Sequence, residues 1–489
     1  MQDEILVPYA PVLVESTRSI GYSFESAVAD IIDNSIGKKA TNIDVIYRSS
    51  AEQYLAVIDN GMGMFETDLV KNMRYGSQNI SDPRDPDDLG RFGLGMKMAS
   101  MSQCRKLTVI SKRENKLSGV CWDLDYITKK NDWVLQKYDQ TELQLLPFVD
   151  MLADLESGTI VLWQAFDRIE LASNNPQKKF EEKISLARDH IALVFHRFMG
   201  KENFGKKVQI FFNNSLVEPM DPFLTNNPAT QPLPDQNLWI SGKKIVVKPY
   251  VLPFISKLKA QDKKDLGDIN DLRANQGFYV YRNRRLIIWG TWFRLIKQYE
   301  LNKLARVRVD IPNTLDSIWD IDIKKSSASL PDMIKKSLVG IVEQTVGRSE
   351  RVYKYRGRKV STQNMEHVWE TVDTREGFHY KINRSLPLYT AIENCMDESG
   401  VRYLDSFVKM IEDAFPYNDA YCRMAKSDEG VIDTTLTFEE VYQVALDMID
   451  QLKKEDKDVC GFIDSMKHID FFSKHPSVVE KIREEYEVK

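Results

Sequence analysis

Residues 23–37, SFESAVADIIDNSIG, carry two stripes on one helical period, and any fold built on them must bury one and employ the other. At about 100° per residue, Phe24, Ala27, Val28, Ile31, Ile32 and Ile36 fall on one broad arc. Asp30, Asp33 and Asn34 fall together on the opposite arc. Short acid and amide side chains compete with the backbone for hydrogen bonds, so their presence in mid-helix needs a reason. Ser23 is placed to cap the helix and Gly37 to stop it. Asp30 and Asn34 stand at i and i+4 and point the same way, one turn apart. Two readings fit. The stripe is a solvated face, the ordinary place for polar residues, or it sets an acid that activates water beside an amide that ligates a hard cation. The helix alone leaves both open.

Two glycine-rich stretches follow. YLAVIDNGMGM (54–64) is an apolar run ending in Asp59-Asn60-Gly61-Met62-Gly63. Asp/Asn-Gly after a strand is a hairpin signal. A second glycine exceeds what a two-residue turn requires and suits a backbone in close approach to a flat ligand, with Asp59 accepting from an exocyclic amine. LGRFGLGMKMASMSQ (89–103) sets Gly90, Gly93 and Gly95 just before a predicted helix, with Lys97 two residues on. Free N–H groups and a positive dipole end at such a start can hold phosphates, though glycine also marks plain turns. The spacing GxxGxG is neither the dinucleotide fingerprint GxGxxG nor the P-loop GxxxxGK[ST]. The polar segment 75–88, with two prolines and no periodicity, reads as a loop able to close over a ligand.

Length and charge limit the rest. A chain of 489 residues is too long for one core and predicts about two to four domains. Its net charge of −5 gives no global pull toward nucleic acid, so any such binding must come from local basic patches. Cys104, Cys121, Cys395, Cys422 and Cys460 are odd in number and scattered, without a CxxC pair, which argues for a reducing compartment and against a disulfide framework or zinc module. The start lacks the basic residues and apolar run of a signal peptide, and no stretch approaches about 18 apolar residues, so the expectation is a cytoplasmic protein with no membrane contact.

Residues 205–350 read as alternating strands and helices. QGFYVYRNRRLIIWG (276–290) is a hairpin around the basic turn 282–285, and a helix is predicted from about Pro331 to Val346. RSERVYKYRGRK (348–359) is either a solvated linker or a phosphate-contacting segment. The remainder, from His367, is mostly helical. In 437–455 the apolar positions 438, 441, 442, 445, 448, 449 and 452 form one stripe for a core or dimer contact. His196 reads as a packed or capping histidine. Asp320 and Asp322 read as the polar face of a strand rather than a magnesium site. In that strand Trp319, Ile321 and Ile323 share the inward face, which Lys325 continues while Lys324 points away. A lysine there either snorkels to the surface or finds an anion for its ammonium.

A helix with acid and amide, a strand ending in DxGxG, and a polar loop with a glycine cluster together resemble the GHKL ATPases, which include DNA gyrase B, the heat-shock chaperone, histidine kinases, MutL and MORC proteins. Gly158-Thr159, opening the strand SGTIVLWQAF (157–166), is similar to the family's Gly-Thr adenine contact. MRYGSQ (73–78) and GRFGLGMK look most like MORC and its bacterial relatives. The resemblance covers roughly residues 10–170. It implies an α+β architecture with an N-terminal α/β sandwich (helices on one face of a mainly antiparallel sheet, residues 1–175), a transducer-like α/β domain (176–347), a basic linker (348–366) and a helical C-terminal domain (367–489). It implies ATP and Mg2+ as cofactors, with Asn34 as the magnesium ligand, Asp59, Gly61, Gly63 and Thr159 at the adenine, and Gly90, Gly93, Gly95 and Lys97 at the phosphates. Asp30 takes the general-base position, where the family has Glu, and Lys325 matches a transducer lysine that reaches the γ-phosphate. The expected function is a slow ATPase working as an ATP-dependent homodimeric clamp on DNA, with partner proteins of a bacterial restriction or anti-phage defence system. A nucleotide-gated scaffold with little turnover and a B-type subunit of a type II topoisomerase are the alternatives.

Overall fold

The computed structural model describes residues 8–19, 21–75, 95–171, 174–200, 207–254, 257–266, 272–315, 332–354, 367–374, 377–417, 436–454 and 458–486. The chain divides into two units, residues 1–355 and 356–489. Lys325, Gly90, Gly93, Asp320, Asp322 and Arg356 lie outside the described residues, as do the side chains of Arg351 and Lys354.

In the first unit, strands β1 (Asn42–Arg48), β2 (Tyr54–Asp59), β3 (Lys106–Arg113), β4 (Lys116–Asp123), β5 (Gln136–Lys137), β6 (Gly158–Gln164), β7 (Gln209–Phe212) and β8 (Ser215–Leu216) make one sheet, ordered β5-β4-β3-β6-β2-β1-β7-β8. Every neighbouring pair is antiparallel except β1 with β7. The helices of this part are α1 (Ala10–Arg18), α2 (Phe24–Gly37), α3 (Glu66–Met73), α4 (Gly95–Gln103), α5 (Leu124–Lys130), α6 (Gln140–Gln144), α7 (Val149–Ala153), α8 (Asp167–Leu171), α9 (Pro176–Val194) and α10 (His196–Met199).

Alternation decides which face each residue serves. Leu55 and Val57 of β2 join the core beneath α1, α2, α4 and α9, whereas Ala56 and Ile58 join a smaller cluster with Leu143 and Leu152 of α6 and α7. A strand buried on both faces reads as a continuous apolar run, which is what 55–58 is. The first layer also takes in residues beyond 175, where the sequence placed a boundary: α9 packs on α2, and β7 pairs in parallel with β1. A four-residue strand carries no local mark of the sheet it joins.

The second sheet holds β9 (Gln231–Pro232), β10 (Gln236–Ile240), β11 (Lys243–Val251), β12 (Gly277–Arg282), β13 (Arg285–Thr291) and β14 (Ala305–Ile311), with path β10-β11-β14-β12-β13 and β9 on β11. After α11 (Ala260–Leu266), α12 (Asp332–Lys354) covers one face, Leu338 and Ile341 meeting Phe278, Val280 and Val307. It runs past the expected end at Val346, so residues 348–354 are helical. Tyr279, Tyr281 and Leu286 cluster instead with Phe223 and Tyr250. The expected hairpin is present: Arg282 pairs with Arg285 across Asn283 and Arg284, both left-handed at φ 48° and 69°, the signature of a type I′ turn.

The second unit opens with a hairpin the sequence did not suggest, β15 (Trp369–Thr374) with β16 (Gly377–Ile382). Then come α13 (Pro387–Asn394), α14 (Glu398–Asp413), α15 (Phe438–Lys454), α16 (Val459–Ser465), α17 (Asp470–Ser473) and α18 (Pro476–Glu485). The stripe of α15 is core: Val441, Ala445, Met448 and Ile449 are buried against Ile463, Val478 and Ile482. Among the described residues no helix is long and apolar enough to cross a membrane.

Candidate functional site

Helix α2 starts where expected, with Ser23 Oγ accepting from Ser26 N at 3.3 Å. Its polar arc is not a solvated face. Asp30 is 3% exposed and Asp33 2% exposed, while Asn34 is exposed. A buried carboxylate needs a partner, and the partner comes from the second sheet. Arg285, the first residue of β13, sets Nε 2.6 Å from Asp33 Oδ2 and Nη2 3.5 Å from Asp30 Oδ1. The Tyr22 hydroxyl donates to Asp30 Oδ2 at 3.2 Å. Arg282 and Arg285 are therefore interior residues, not a basic tip turned toward nucleic acid; Arg284 is exposed, its guanidinium 5.6 Å from the centre of the Phe198 ring. Sequence reasoning missed Arg285. The available signal was the pair Asp30/Asp33 itself, since two acids on a helix that must pack call for a cation.

The end of β2 is built on backbone contact. Ser35 Oγ donates to Asp59 Oδ2 at 2.7 Å, and Gly61 N donates to Oδ1 at 2.9 Å. Asp59 faces Thr159 across the β2–β6 ladder. Burial pushes the Asp59 carboxyl up, against hydrogen bonds from Ser35 and from the Gly61 and Thr159 backbones. Asn60 Oδ1 accepts from Thr41 N and Asn42 N at 2.8 and 2.9 Å, locking the turn to the start of β1. No hairpin follows; the chain runs into α3. Gly63 has φ +62°, and a Cβ there would lie 2.0 Å from Lys112 O. A Cβ on Gly158 would lie 2.3 Å from Asp59 O. The hydroxyls of Ser111 and Thr159 are 3.0 Å apart, and Ser111 Oγ also accepts from Met64 N at 2.9 Å.

Gly95 opens α4 beside the first carboxylate: a Cβ on it would lie 3.6 Å from Asp30 Oδ2. Lys97, two residues on, is 2% exposed and donates from Nζ to Asn72 O at 2.6 Å. Burial lowers its ammonium to about 8, and among the described residues no carboxylate pairs with it. The structure thus draws Asp30, Asp33, Gly95 and Arg285 together, and joins Asp59, Gly61 and Thr159 separately through Ser35, Ser111 and the β2–β6 ladder. His196 is packed as expected, Nε2 lying 2.8 Å from the Tyr281 hydroxyl.

No group of three or more His, Cys, Asp or Glu among the described residues could hold a metal ion. Asn34 is the exposed amide of the polar arc of α2.

Residues 22–159 match the family described as histidine kinase-, DNA gyrase B- and HSP90-like ATPase. The DNA mismatch repair protein MutL of Chlorobium phaeobacteroides is 33% identical over 97 residues, 19% of this chain and 16% of that protein. The ATPase MORC2B of Mus musculus is 33% identical over 108 residues, 21% of this chain and 10% of its own length. The mismatch repair protein pms1 of Schizosaccharomyces pombe is 22% identical over 360 residues, 68% of this chain and 41% of that protein. The chain thus spans less than half the length of each of these relatives. The matched segment runs from Tyr22 to Thr159 and holds Asp30, Asp33, Asn34, Asp59, Gly95, Lys97 and Thr159 but not Arg285; over that segment the chain is similar to the GHKL ATPases.

Proposed function

We propose that the chain binds Mg·ATP, hydrolyses it slowly, and works as an ATP-dependent homodimeric clamp on DNA. The buried Asp59 carries the reading: it is fixed by Ser35 and Gly61 N beside a backbone too close for any side chain at Gly63 or Gly158. Such a flat, acid-tipped shelf suits adenine, the carboxylate accepting from the exocyclic amine. Asn34 supplies an oxygen to magnesium. Gly90, Gly93, Gly95 and Lys97 receive the phosphates, and Thr159 contacts the base through its hydroxyl network. Asp30 takes the proton of the attacking water, and Lys325 meets the γ-phosphate when the second sheet docks. Closure would join two copies around DNA and present a surface to partner proteins, including those of a restriction or anti-phage system. The likeness to MutL and MORC2B supports the clamp.

Calorimetry with ATP, with and without Mg2+, tests the site. Asn34→Ala should abolish the magnesium-dependent part of binding and Asp59→Ala should weaken it at least tenfold; parental titrations from both would remove the assignment. Asp30→Asn should bind but not turn over, while Asp30→Glu should keep or raise turnover. A second reading, a nucleotide-gated scaffold with little turnover, is favoured by one observation: Asp30 is a methylene shorter than the family's Glu and lies buried against Arg285. A parent that binds ATP but releases no phosphate, with or without DNA, would decide for the scaffold.

A further inference from the structure

We infer that Arg285 of β13 is a positioning residue for the Asp30 carboxylate, so that the second sheet determines whether that carboxylate can take a proton from water. This rests on the nucleotide-site reading above. Asp33 anchors the guanidinium through its closest contact, 2.6 Å to Nε, and the rigid planar fork then fixes where Nη2 stands, 3.5 Å from Asp30 Oδ1. Tyr22 holds the other oxygen, Oδ2, at 3.2 Å. Asp30 is thus gripped from its own helix entry and from a strand some 250 residues away, the Arg285–Asp33 bond alone spanning 252 positions. Without Arg285, two nearly dry carboxylates one turn apart repel each other, and relief comes through a swing of one side chain. That swing takes Asp30 out of the position from which it can accept.

The hairpin is held to this task. Arg284 sits at φ 69°, a left-handed conformation that survives where the surroundings over-determine it, and its guanidinium lies over Phe198 of α10. One step along the chain, Arg285 enters the carboxylate pair. In hydrolysis the water oxygen bonds to the γ-phosphorus and the bond to the β–γ bridging oxygen breaks. ADP departs with that oxygen, and the water proton passes to Asp30, which releases it after the products leave. Arg285 touches neither water nor phosphate in this scheme. It acts through the placement of Asp30, and misplacement of a reacting group by about 1 Å can cost about 10²-fold in rate.

The test measures ATP affinity and steady-state phosphate release at saturating Mg·ATP on the full chain, for the parent, Arg285→Met, Arg285→Lys and the charge-balanced double variant Arg285→Met/Asp33→Asn. Arg285→Met should keep ATP affinity within about threefold while kcat falls about 10²-fold. Arg285→Lys, a point charge without the fork, should fall about tenfold. The double variant should regain part of the loss, because the repulsion is gone. Where Arg285→Met fails to fold, Arg285→Lys and the double variant carry the comparison. Parental kcat in Arg285→Met, or in Arg285→Lys when Arg285→Met does not fold, overturns the role of Arg285 and leaves the nucleotide site standing. A parent that binds ATP without turnover overturns the role of Asp30 and that of Arg285 with it. A parent that binds no ATP overturns the site reading itself.

Discussion

Replacing Lys97 with Met should stabilise the protein and weaken its hold on ATP, a combination that a purely structural lysine would not give. The ammonium is 2% exposed, bonded to Asn72 O at 2.6 Å, and lowered by burial from 10.5 to about 8. Each unit of displacement corresponds to about 1.4 kcal/mol, so keeping Lys97 charged in the fold costs roughly 3 kcal/mol at neutral pH. Methionine keeps most of the stem and removes the charge. It gives up the bond to Asn72 O, worth about 1 kcal/mol, which leaves a net gain of about 2 kcal/mol. A triphosphate beside Lys97 reverses the balance, because a charge-assisted bond to the ammonium then offsets its desolvation. Lys97→Met should therefore bind ATP about tenfold or more weakly.

The pH dependence gives an independent check. The folded-state value lies below the unfolded one, so between about 8 and 10.5 the unfolded chain binds more protons than the native one. Stability of the parent should consequently rise with pH across that window from this group, and the rise should be missing in Lys97→Met. Urea unfolding at pH 7 and at steps from 8 to 10.5, with ATP titrations at pH 7, reads all three effects. A variant destabilised by more than about 1 kcal/mol, with parental ATP affinity, would refute the reasoning and leave Lys97 as a support for Asn72.

Gly63→Ala meets both a left-handed φ of +62° and the Lys112 carbonyl at 2.0 Å, so urea unfolding should report a loss of about 3 kcal/mol or more; Gly37→Ala, with nothing within 4 Å, should be neutral or slightly stabilising. His190 is lowered to about 4 by burial and then by the charge of Arg285, so the unfolded chain binds more protons between about 6.5 and about 4. Stability should fall as pH drops through that window, and His190→Gln should flatten the trend in urea midpoints; an unchanged slope would remove His190 as its source. Lys325→Ala should lose turnover and ATP-induced closure while keeping most ATP affinity, whereas Lys324→Ala should behave like the parent; equal effects from the two would discard the strand-face assignment.

Local signals carried the fold where the chemistry is local. The apolar arc of α2, its cap at Ser23, the uninterrupted run 55–58 and the type I′ hairpin at 283–284 are each written in a few adjacent residues. The close packing at Gly61 and Gly63 was also legible, because a second glycine after an acid exceeds what a turn needs. Long-range pairing was not. The four residues of β7 join the first sheet through β1, more than 150 positions earlier, since Asn42 pairs with Gln209. Arg282 and Arg285 illustrate the same limit from the other side. A run of arginines in a turn reads as a basic patch, and only the tertiary position of two acids on α2 turns Arg285 into half of an interior ion pair.

The three polar residues of α2 divide one helical turn between two tasks. Asp33 and Asn34 are adjacent, so about 100° of rotation separates them: Asp33 turns into the joint with the second sheet and is buried, and Asn34 turns out and is exposed. Asp30, three and four positions before them, lies between the two directions and is gripped from the joint side by Arg285. A solvated face would need none of this order, and a magnesium amide alone would not need Asp33. The joint is reinforced by directional contacts, the ion pair of Arg197 with Asp310 and the bond of His196 to Tyr281, with Trp289 packed against the His190 ring. Directional contacts hold one docking geometry and are lost abruptly when it shifts, unlike apolar packing, which tolerates sliding. Any ligand that bears on Asp30 or Asn34 therefore acts within one turn of the residue that fixes how the two sheets meet, and it can bias that docking only by as much as it distinguishes the docked arrangement from the released one.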